Sequence, residues 1–211
     1  MDPTVLTSTD VPDGLLDLLS AHLPYSLPLL RRLQFTKCRG GLTPTSRVMF
    51  SSDDGKEPQS ADGSRSRHFT AAYVDPAAGP ETQMWIYSTL EDGDTRAEDE
   101  EVCARLIISV VNHARKLSSD YSERLVYPGG ILVGTLHHLV REAMKKGGVP
   151  LSMRSPLGYD KWLFNVNELP IGEPRISDGM YWEPASRDDC LLAISRNDLP
   201  RQVYALSLYI S

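Results

Sequence analysis

The stretch RLVYPGGILVGTLHHLVREAMKKGG, residues 124–148, has the pattern of a short apolar strand, a glycine and then an amphipathic helix. A strand that turns at a glycine into a helix N-terminus is a common way to build a phosphate site, because the first amides of the helix point at the ligand. Two interpretations are open. In one, the amides of Gly134, Thr135 and Leu136 bind a phosphate-bearing ligand. In the other, Gly134 is a structural turn and Thr135 caps its own helix.

The elements before this stretch follow from hydrophobic periodicity. Leucines at helical spacing predict two short helices in residues 13–35, separated at Pro24, with Ser26 capping the second. Three strands follow, SRVMFSS, RHFTAAYVD and ETQMWIYSTLE, and they predict an antiparallel meander. The polar segment between the first two strands predicts a mobile hairpin loop. An acidic run then leads into the long helix EEVCARLIISVVNHARKLSS, whose N-terminus favours carboxylates.

Five further elements are predicted around the opening stretch and after it. Residues 131–133 form a strand, and the helix that follows begins at Leu136. The segments YDKWLFNVNEL and DDCLLAIS are predicted as strands, and NDLPRQVYALSLYIS is predicted as a last helix. Antiparallel strands followed by a strand–helix crossover indicate an α/β (α+β) fold, in which helices flank a mixed, mostly antiparallel sheet.

Composition excludes several functional classes. The net charge of −6 argues against a nucleic-acid partner, since phosphate contacts need a clustered positive field. Three widely spaced cysteines lack metal-ligand spacing, so no metal site is expected, and Cys103 is predicted to be a buried, inert thiol. The first residues do not resemble a signal peptide, and no apolar run has the length of a membrane span. We therefore expect a cytoplasmic protein with no membrane partner.

Five side chains are candidates for chemistry. His137 and His138 open the predicted helix, where the dipole disfavours imidazolium and leaves a neutral ring for catalysis. A solvated histidine on an exposed face would show the same pattern. Trp85 and Tyr87 share one face of a strand, and Tyr73 joins them from the neighbouring strand. These aromatics either line a small-molecule cleft, with Tyr73 and Trp85 binding substrate and the Tyr87 phenol taking part in catalysis, or form core under a helix.

The order of elements and several local sequences resemble the GNAT superfamily of acyltransferases. LPYSLPLLRRLQF is similar to the segment that opens glycine N-acyltransferase-like proteins, while YDKWLF and DDCLLAISRNDLPRQVYAL resemble segments of fungal two-lobed members. The resemblance covers most of the chain. It implies a GNAT-like N-terminal lobe at residues 1–170. Residues 171–211 would then be a linker plus the strand–helix extension that begins a truncated second lobe.

The same resemblance implies a cofactor. YPGGILVGTLHHLVREAMKKGG occupies the place of the superfamily's acyl-CoA loop, usually written [QR]-x-x-G-x-[GA]. Aligning Gly134 with the last glycine places Gly130 on the first and Leu132 on the middle position, and the leading Gln or Arg has no counterpart. Gly130, Gly134 and Thr135 are therefore implied to bind acetyl-CoA or another acyl-CoA, through a loop that departs from the family's pattern.

Three functional classes remain open at this point. The first is an acyl-CoA-dependent N-acyltransferase acting on a small amine. The second is a truncated GNAT-like scaffold reused for other chemistry, such as a cyclisation or isomerisation in a biosynthetic pathway. The third is a non-catalytic binding or partner subunit. A surface on which the second lobe would have docked predicts a homodimer.

Overall fold

The computed structural model describes residues 3–38, 41–58, 67–78, 82–93, 96–121, 130–153 and 183–196, with the single residues 167 and 179. The chain divides into two compact units, Met1–Pro150 and Leu151–Ser211. The predicted boundary after residue 170 lies outside the described residues and stays a prediction. The same holds for the predicted C-terminal helix and, except for Asn167, for the predicted strand YDKWLFNVNEL.

A four-stranded antiparallel sheet forms the centre of the first unit, in the order β1-β2-β3-β4. The strands are β1 (Leu6–Ser8), β2 (Arg47–Ser52), β3 (Phe69–Val74) and β4 (Met84–Ser88). Strands β2 to β4 confirm the predicted meander. β3 is buried along its whole length, as expected of a central strand covered on both faces. β1 was not predicted, because three residues are too few to show alternation.

Helices cover both faces of this sheet. Helices α1 (Leu15–Ser20) and α2 (Leu27–Phe35) pack on one face, and α3 (Ala97–Ser119) packs on the other with α4 (His138–Lys146) beside it. On the α1–α2 side, leucines of the two helices meet the inward residues of the strands. The largest strand side chains in this core are Phe50, Phe69, Tyr73 and Tyr87. The α+β architecture agrees with the prediction from sequence.

The ends of the helices agree with the predictions in part. Pro24 separates α1 from α2 as expected, and acids fill the first turn of α3. Ser26 occupies the N-cap position of α2, but its hydroxyl donates to the Leu19 carbonyl oxygen at 2.5 Å instead of accepting from the helix. The predicted side-chain cap is therefore wrong, because the hydroxyl ties α2 back to the end of α1.

Two predicted strands are wrong. Residues 131–133 make one isolated parallel bridge, Val133 to Met84, and no strand. DDCLLAIS lies in α5 (Arg187–Ser195), in the second unit. Its helix is started by a capping box in which the Ser186 hydroxyl accepts from the Asp189 amide and the Asp189 carboxylate accepts from the Ser186 amide. Periodicity alone cannot distinguish a short apolar run in a helix from one in a strand.

No helix in the described part of the chain is long and apolar enough to cross a membrane. The described residues also contain no group of three or more metal-ligating side chains. Part of the predicted hairpin loop, residues 59–66, lies outside the described residues.

Candidate functional site

The predicted phosphate loop is hydrogen-bonded to the start of β4. The Gly134 amide donates to the Met84 carbonyl oxygen at 3.0 Å, and the Met84 amide donates to the Leu132 carbonyl oxygen at 3.1 Å. A Cβ on Gly134 would lie 2.5 Å from Cγ2 of Thr82, so close packing requires a glycine here. Because the Gly134 amide already has a partner, these contacts support the interpretation of Gly134 as a structural turn.

The start of α4 differs from the prediction. The helix begins at His138, and His137 is its N-cap: Nδ1 of His137 accepts from the Leu139 amide at 3.3 Å. Thr135 does not cap the helix, and the predicted start at Leu136 is wrong. Thr135 has a φ of 52°, which is unusual for a β-branched residue and costs roughly 1–2 kcal/mol. The turn into α4 is therefore held in a conformation that Thr135 by itself disfavours.

The two histidines of the opening stretch lie together at this helix end. Their ring centroids are 4.4 Å apart, and His138 is exposed while His137 is half-buried. The cap bond requires an unprotonated Nδ1 on His137, so that ring is neutral when it caps α4. A catalytic role for either histidine stays a prediction.

The three candidate aromatics, Tyr73 and Trp85 for substrate binding and Tyr87 for catalysis, belong mainly to the core. Tyr73 and Tyr87 are fully buried, and Trp85 is half-buried beside them. The guanidinium of Arg32 stacks 4.1 Å from the Tyr73 ring centroid, and its Nη2 donates to the Tyr73 hydroxyl at 2.5 Å. Burial raises the pKa of Tyr73, although the positive charge of Arg32 acts in the opposite direction. Tyr73 and Trp85 as substrate-binding residues stay a prediction.

A polar centre that the sequence did not indicate joins α1 to β4. Nδ1 of His22 lies 2.6 Å from Oδ2 of Asp92, and the Tyr87 hydroxyl donates to Oδ1 of the same carboxylate at 2.6 Å. The His22 ring also packs edge-on against Phe69, with centroids 5.2 Å apart. Both oxygens of Asp92 are thus occupied, and the ring of His22 is fixed in orientation.

Local structure places each member of this centre. His22 follows α1, where its amide donates to the Leu19 carbonyl oxygen at 3.0 Å. Asp92 ends a short 3-10 helix, Thr89–Asp92, which a capping box of Ser88 and Glu91 starts directly after β4. Gly93 ends this turn at a φ of 84°, a conformation that glycine adopts without strain. Tyr87 of β4 and His22, which follows α1, therefore meet at the Asp92 carboxylate.

The hydrogen bonds of the centre determine which of its atoms donate and which accept. Burial, and then the hydrogen bond to Asp92, raise the pKa of Tyr87 far above its ordinary range, so the phenol keeps its proton and remains a donor. Asp92 accepts from Nδ1–H of His22, which leaves Nε2 with a lone pair. The side chains of His22 and Asp92 are 25% and 27% exposed, so a ligand can reach them. Beside them Leu23 and Tyr25 are exposed and offer apolar surface.

With the fold and this geometry established, comparison with known proteins identifies the family. Residues 2–162 match the sequence model of a protein family. That family is described as the acyl-CoA N-acyltransferase verG N-terminal domain. The chain belongs to this family. The resemblance to GNAT acyltransferases is thereby confirmed. No curated protein and no solved structure shows a significant match to the sequence.

The family name raises the question of where acyl-CoA would bind. Two helix N-termini in the described part of the chain are candidates for contact with its phosphates. At α4, the Gly134 amide is engaged and His137 caps the helix. At α3, the first turn carries Glu98, Asp99 and Glu100, whose charges would repel a phosphate. The Gly134 amide is therefore already engaged within the fold, while Gly130, Gly134 and Thr135 as cofactor-binding residues stay a prediction.

The sequence of this domain held no local signal for the His22 centre. His22 and Asp92 are 70 residues apart, and Asp92 belongs to an acidic run whose simplest interpretation is a helix cap. Cys103, in contrast, is buried as predicted, and burial raises the pKa of its thiol. That thiol lies 3.6 Å from the Thr89 hydroxyl and has the environment of an inert core cysteine.

Proposed function

We propose that this verG-type N-terminal domain binds a small amine and that His22 accepts its proton during N-acylation. The observation that carries the proposal is the pair of 2.6 Å contacts through which Asp92 holds His22 on one oxygen and Tyr87 on the other. A carboxylate that orients an imidazole through Nδ1 leaves Nε2 as a positioned base. Membership of an acyl-CoA N-acyltransferase family supports the reaction class.

The proton balance is simple. A protonated amine gives a proton to Nε2 of His22, the nitrogen lone pair becomes available as a nucleophile, and the imidazolium that forms faces the negative charge of Asp92. Tyr87 acts through Asp92: its hydroxyl fixes the carboxylate without taking part in the transfer. Tyr87, predicted from sequence as a catalytic residue, is thus proposed as a positioning residue.

The test is an N-acylation assay of the whole chain, with acetyl-CoA and longer acyl-CoA thioesters as donors and a panel of small amines. We expect His22→Gln to lower kcat by roughly a hundredfold or more, within the usual range for loss of a general base. The kcat of Asp92→Asn should fall similarly, because the amide of asparagine can donate to Nδ1 of His22 and favour the wrong tautomer. Asp17→Asn, an exposed carboxylate on the same α1, is the matched control and should keep full activity.

Two further readouts keep the test independent of the donor. Nitrogen-15 NMR of the imidazoles should show His22 as the Nδ1–H tautomer, and addition of a substrate amine should shift its Nε2 resonance. Activity that survives His22→Gln but is lost in His138→Gln would place the base at α4 and overturn the proposal. Absence of turnover for every amine would also contradict it.

One observation favours a second candidate. Because the Gly134 amide of the predicted loop is engaged by the Met84 carbonyl oxygen, the His22 centre would also suit a proton-transfer reaction without coenzyme A, such as an isomerisation. Turnover of a carbon acid by the wild-type chain without any thioester, lost in His22→Gln, would support this candidate over N-acylation.

A further inference from the structure

A concave surface lies between α3, α4 and the N-terminal segment. It has a volume of about 590 Å³, within the range of roughly 300–1,000 Å³ typical of small-ligand sites. The N-terminal segment forms one wall and is fixed by hydrogen bonds to α3: the Ser109 hydroxyl donates to the Pro3 carbonyl oxygen at 2.8 Å, and the Thr7 hydroxyl lies 3.2 Å from Nε2 of His113. The groove is therefore formed before any ligand binds.

The floor of this groove is apolar. Val5, Ala104, Ile108 and Ala143 contribute carbon surface, and Gly147 packs directly against Ile108 with no room for a Cβ. That close approach brings the C-terminal end of α4 onto α3. An apolar tail placed here would leave water, and the burial of its surface favours binding.

The rim of the groove is basic although the chain is acidic overall. Arg105, Lys116 and Lys146 line it and are exposed, against one acid, Glu101, while the whole chain carries a net charge of −6. Within the described residues, none of these three cations pairs with a carboxylate. Their charges are therefore available to a ligand, and they concentrate positive potential along this groove.

We propose that the groove binds a small amphipathic anion, a molecule with one carboxylate or phosphate head group and an apolar tail. Arg105 lies one helical turn before Ile108, and Lys146 directly precedes the Gly147 that packs on Ile108, so these two cations border the same part of the floor. The head group binds there, and the tail lies along Ile108 and Val5. The site is separate from His22, which packs on the opposite face of the sheet.

The experiment is a set of three titrations of the whole chain, with decanoate, decyl phosphate and decylamine. Two-dimensional NMR of the backbone amides monitors each titration. We expect saturable shifts at Ile108, Ser109 and Gly147 with either anion, and none with decylamine. Whichever anion binds more tightly identifies the head group. Arg105→Gln/Lys146→Gln should weaken binding about five- to twentyfold, since each exposed ion pair contributes a few-fold in affinity. Added salt should weaken the wild type more than this variant.

Arg115→Gln/Lys37→Gln is the matched control, because it removes two exposed cations, one of them on α3, that do not line the groove. It should bind decanoate like the wild type. Ala104→Phe fills the floor and should abolish binding while thermal unfolding stays cooperative. Equal binding of decylamine, equal weakening in the control, or shifts confined to other parts of the chain would each overturn the proposal.

Discussion

Tyr87 has its ring in the core and its hydroxyl in the polar centre. The ring packs between the sheet and α1–α2, and the hydroxyl donates to Asp92 at 2.6 Å. A buried hydroxyl without a partner would cost about 1–3 kcal/mol, so Asp92 stabilises the core as well as orienting His22. One residue thus links the stability of the fold to the geometry of the proposed base.

We expect the free energy of unfolding to fall as the pH rises above about 10. Burial raises the pKa of Tyr87 and of Tyr73 above the ordinary tyrosine value, so both keep their protons in the folded chain while the unfolded chain loses them. The unfolded state then binds fewer protons, and stability decreases by up to about 1.4 kcal/mol per pH unit for each tyrosine. Urea unfolding between pH 8 and 11 measures the slope.

The variant Tyr87→Phe should show a shallower slope in that range, because it lacks one of the two phenols, Tyr73 and Tyr87, whose pKa the fold raises. Tyr25→Phe removes an exposed phenol and serves as the control, with a slope equal to that of the wild type. A slope unchanged by Tyr87→Phe would contradict the assignment of the alkaline effect to this side chain.

At the scale of elements, the segment before α4 connects two parts of the fold with little regular structure. One parallel bridge ties Val133 to Met84, Gly134 packs on Thr82, and Thr135 turns the chain in the left-handed region. Helix α4 is then stabilised by burying Val140 and Met144. Packing, more than local propensity, holds this element in place.

Gly134→Ala is expected to lower the free energy of unfolding by about 1–3 kcal/mol, because the new Cβ would lie 2.5 Å from Cγ2 of Thr82. Thr82→Ala removes that methyl group, so the double variant should lose less stability than the sum of the two single variants. A double-mutant cycle by urea unfolding measures the difference.

Gly130→Ala is the matched control for this cycle, since nothing lies within 4 Å of a Cβ at Gly130. It should change stability by less than about 0.5 kcal/mol. Strictly additive effects of Gly134→Ala and Thr82→Ala would show that the glycine is needed for a reason other than this contact.

At the scale of the whole molecule, the sheet separates two proposed sites within the first unit. The His22 centre lies on the face covered by α1 and α2, and the basic groove lies along α3 and α4 on the other side. Each site is made from elements of the Met1–Pro150 unit. The homodimer predicted from sequence stays a prediction, which sedimentation at several concentrations would test.

We expect residues 1–150, produced alone, to unfold cooperatively, because all four strands and both helical layers lie within them. A chain of residues 1–121 should fail to do so, since it lacks α4 and leaves the side of α3 that α4 covers exposed to water. Urea unfolding followed by circular dichroism and by tryptophan fluorescence compares the two. A broad, non-coincident transition for residues 1–150 would contradict the division into units.

How much of the fold could be predicted depends on how far apart in the chain the interacting residues lie. Strands β2 to β4 and helix α3 were predicted because burial on one or two faces leaves a local pattern of apolar residues. β1 is too short to leave such a pattern, and the start of α5 was decided by one capping box. His137 as the cap of α4 was missed because histidine is an uncommon N-cap residue.

The amino-acid sequence by itself determined the meander, the helices that cover it and the resemblance to the family, since all three depend on residues close together in the chain. Only the tertiary structure decided that Gly134 serves packing on Thr82, that Tyr73 and Tyr87 are core, and that His22 meets Asp92. These last features depend on contacts between distant segments. Such contacts exist only after the sheet has brought its two helical layers together, so no local pattern records them.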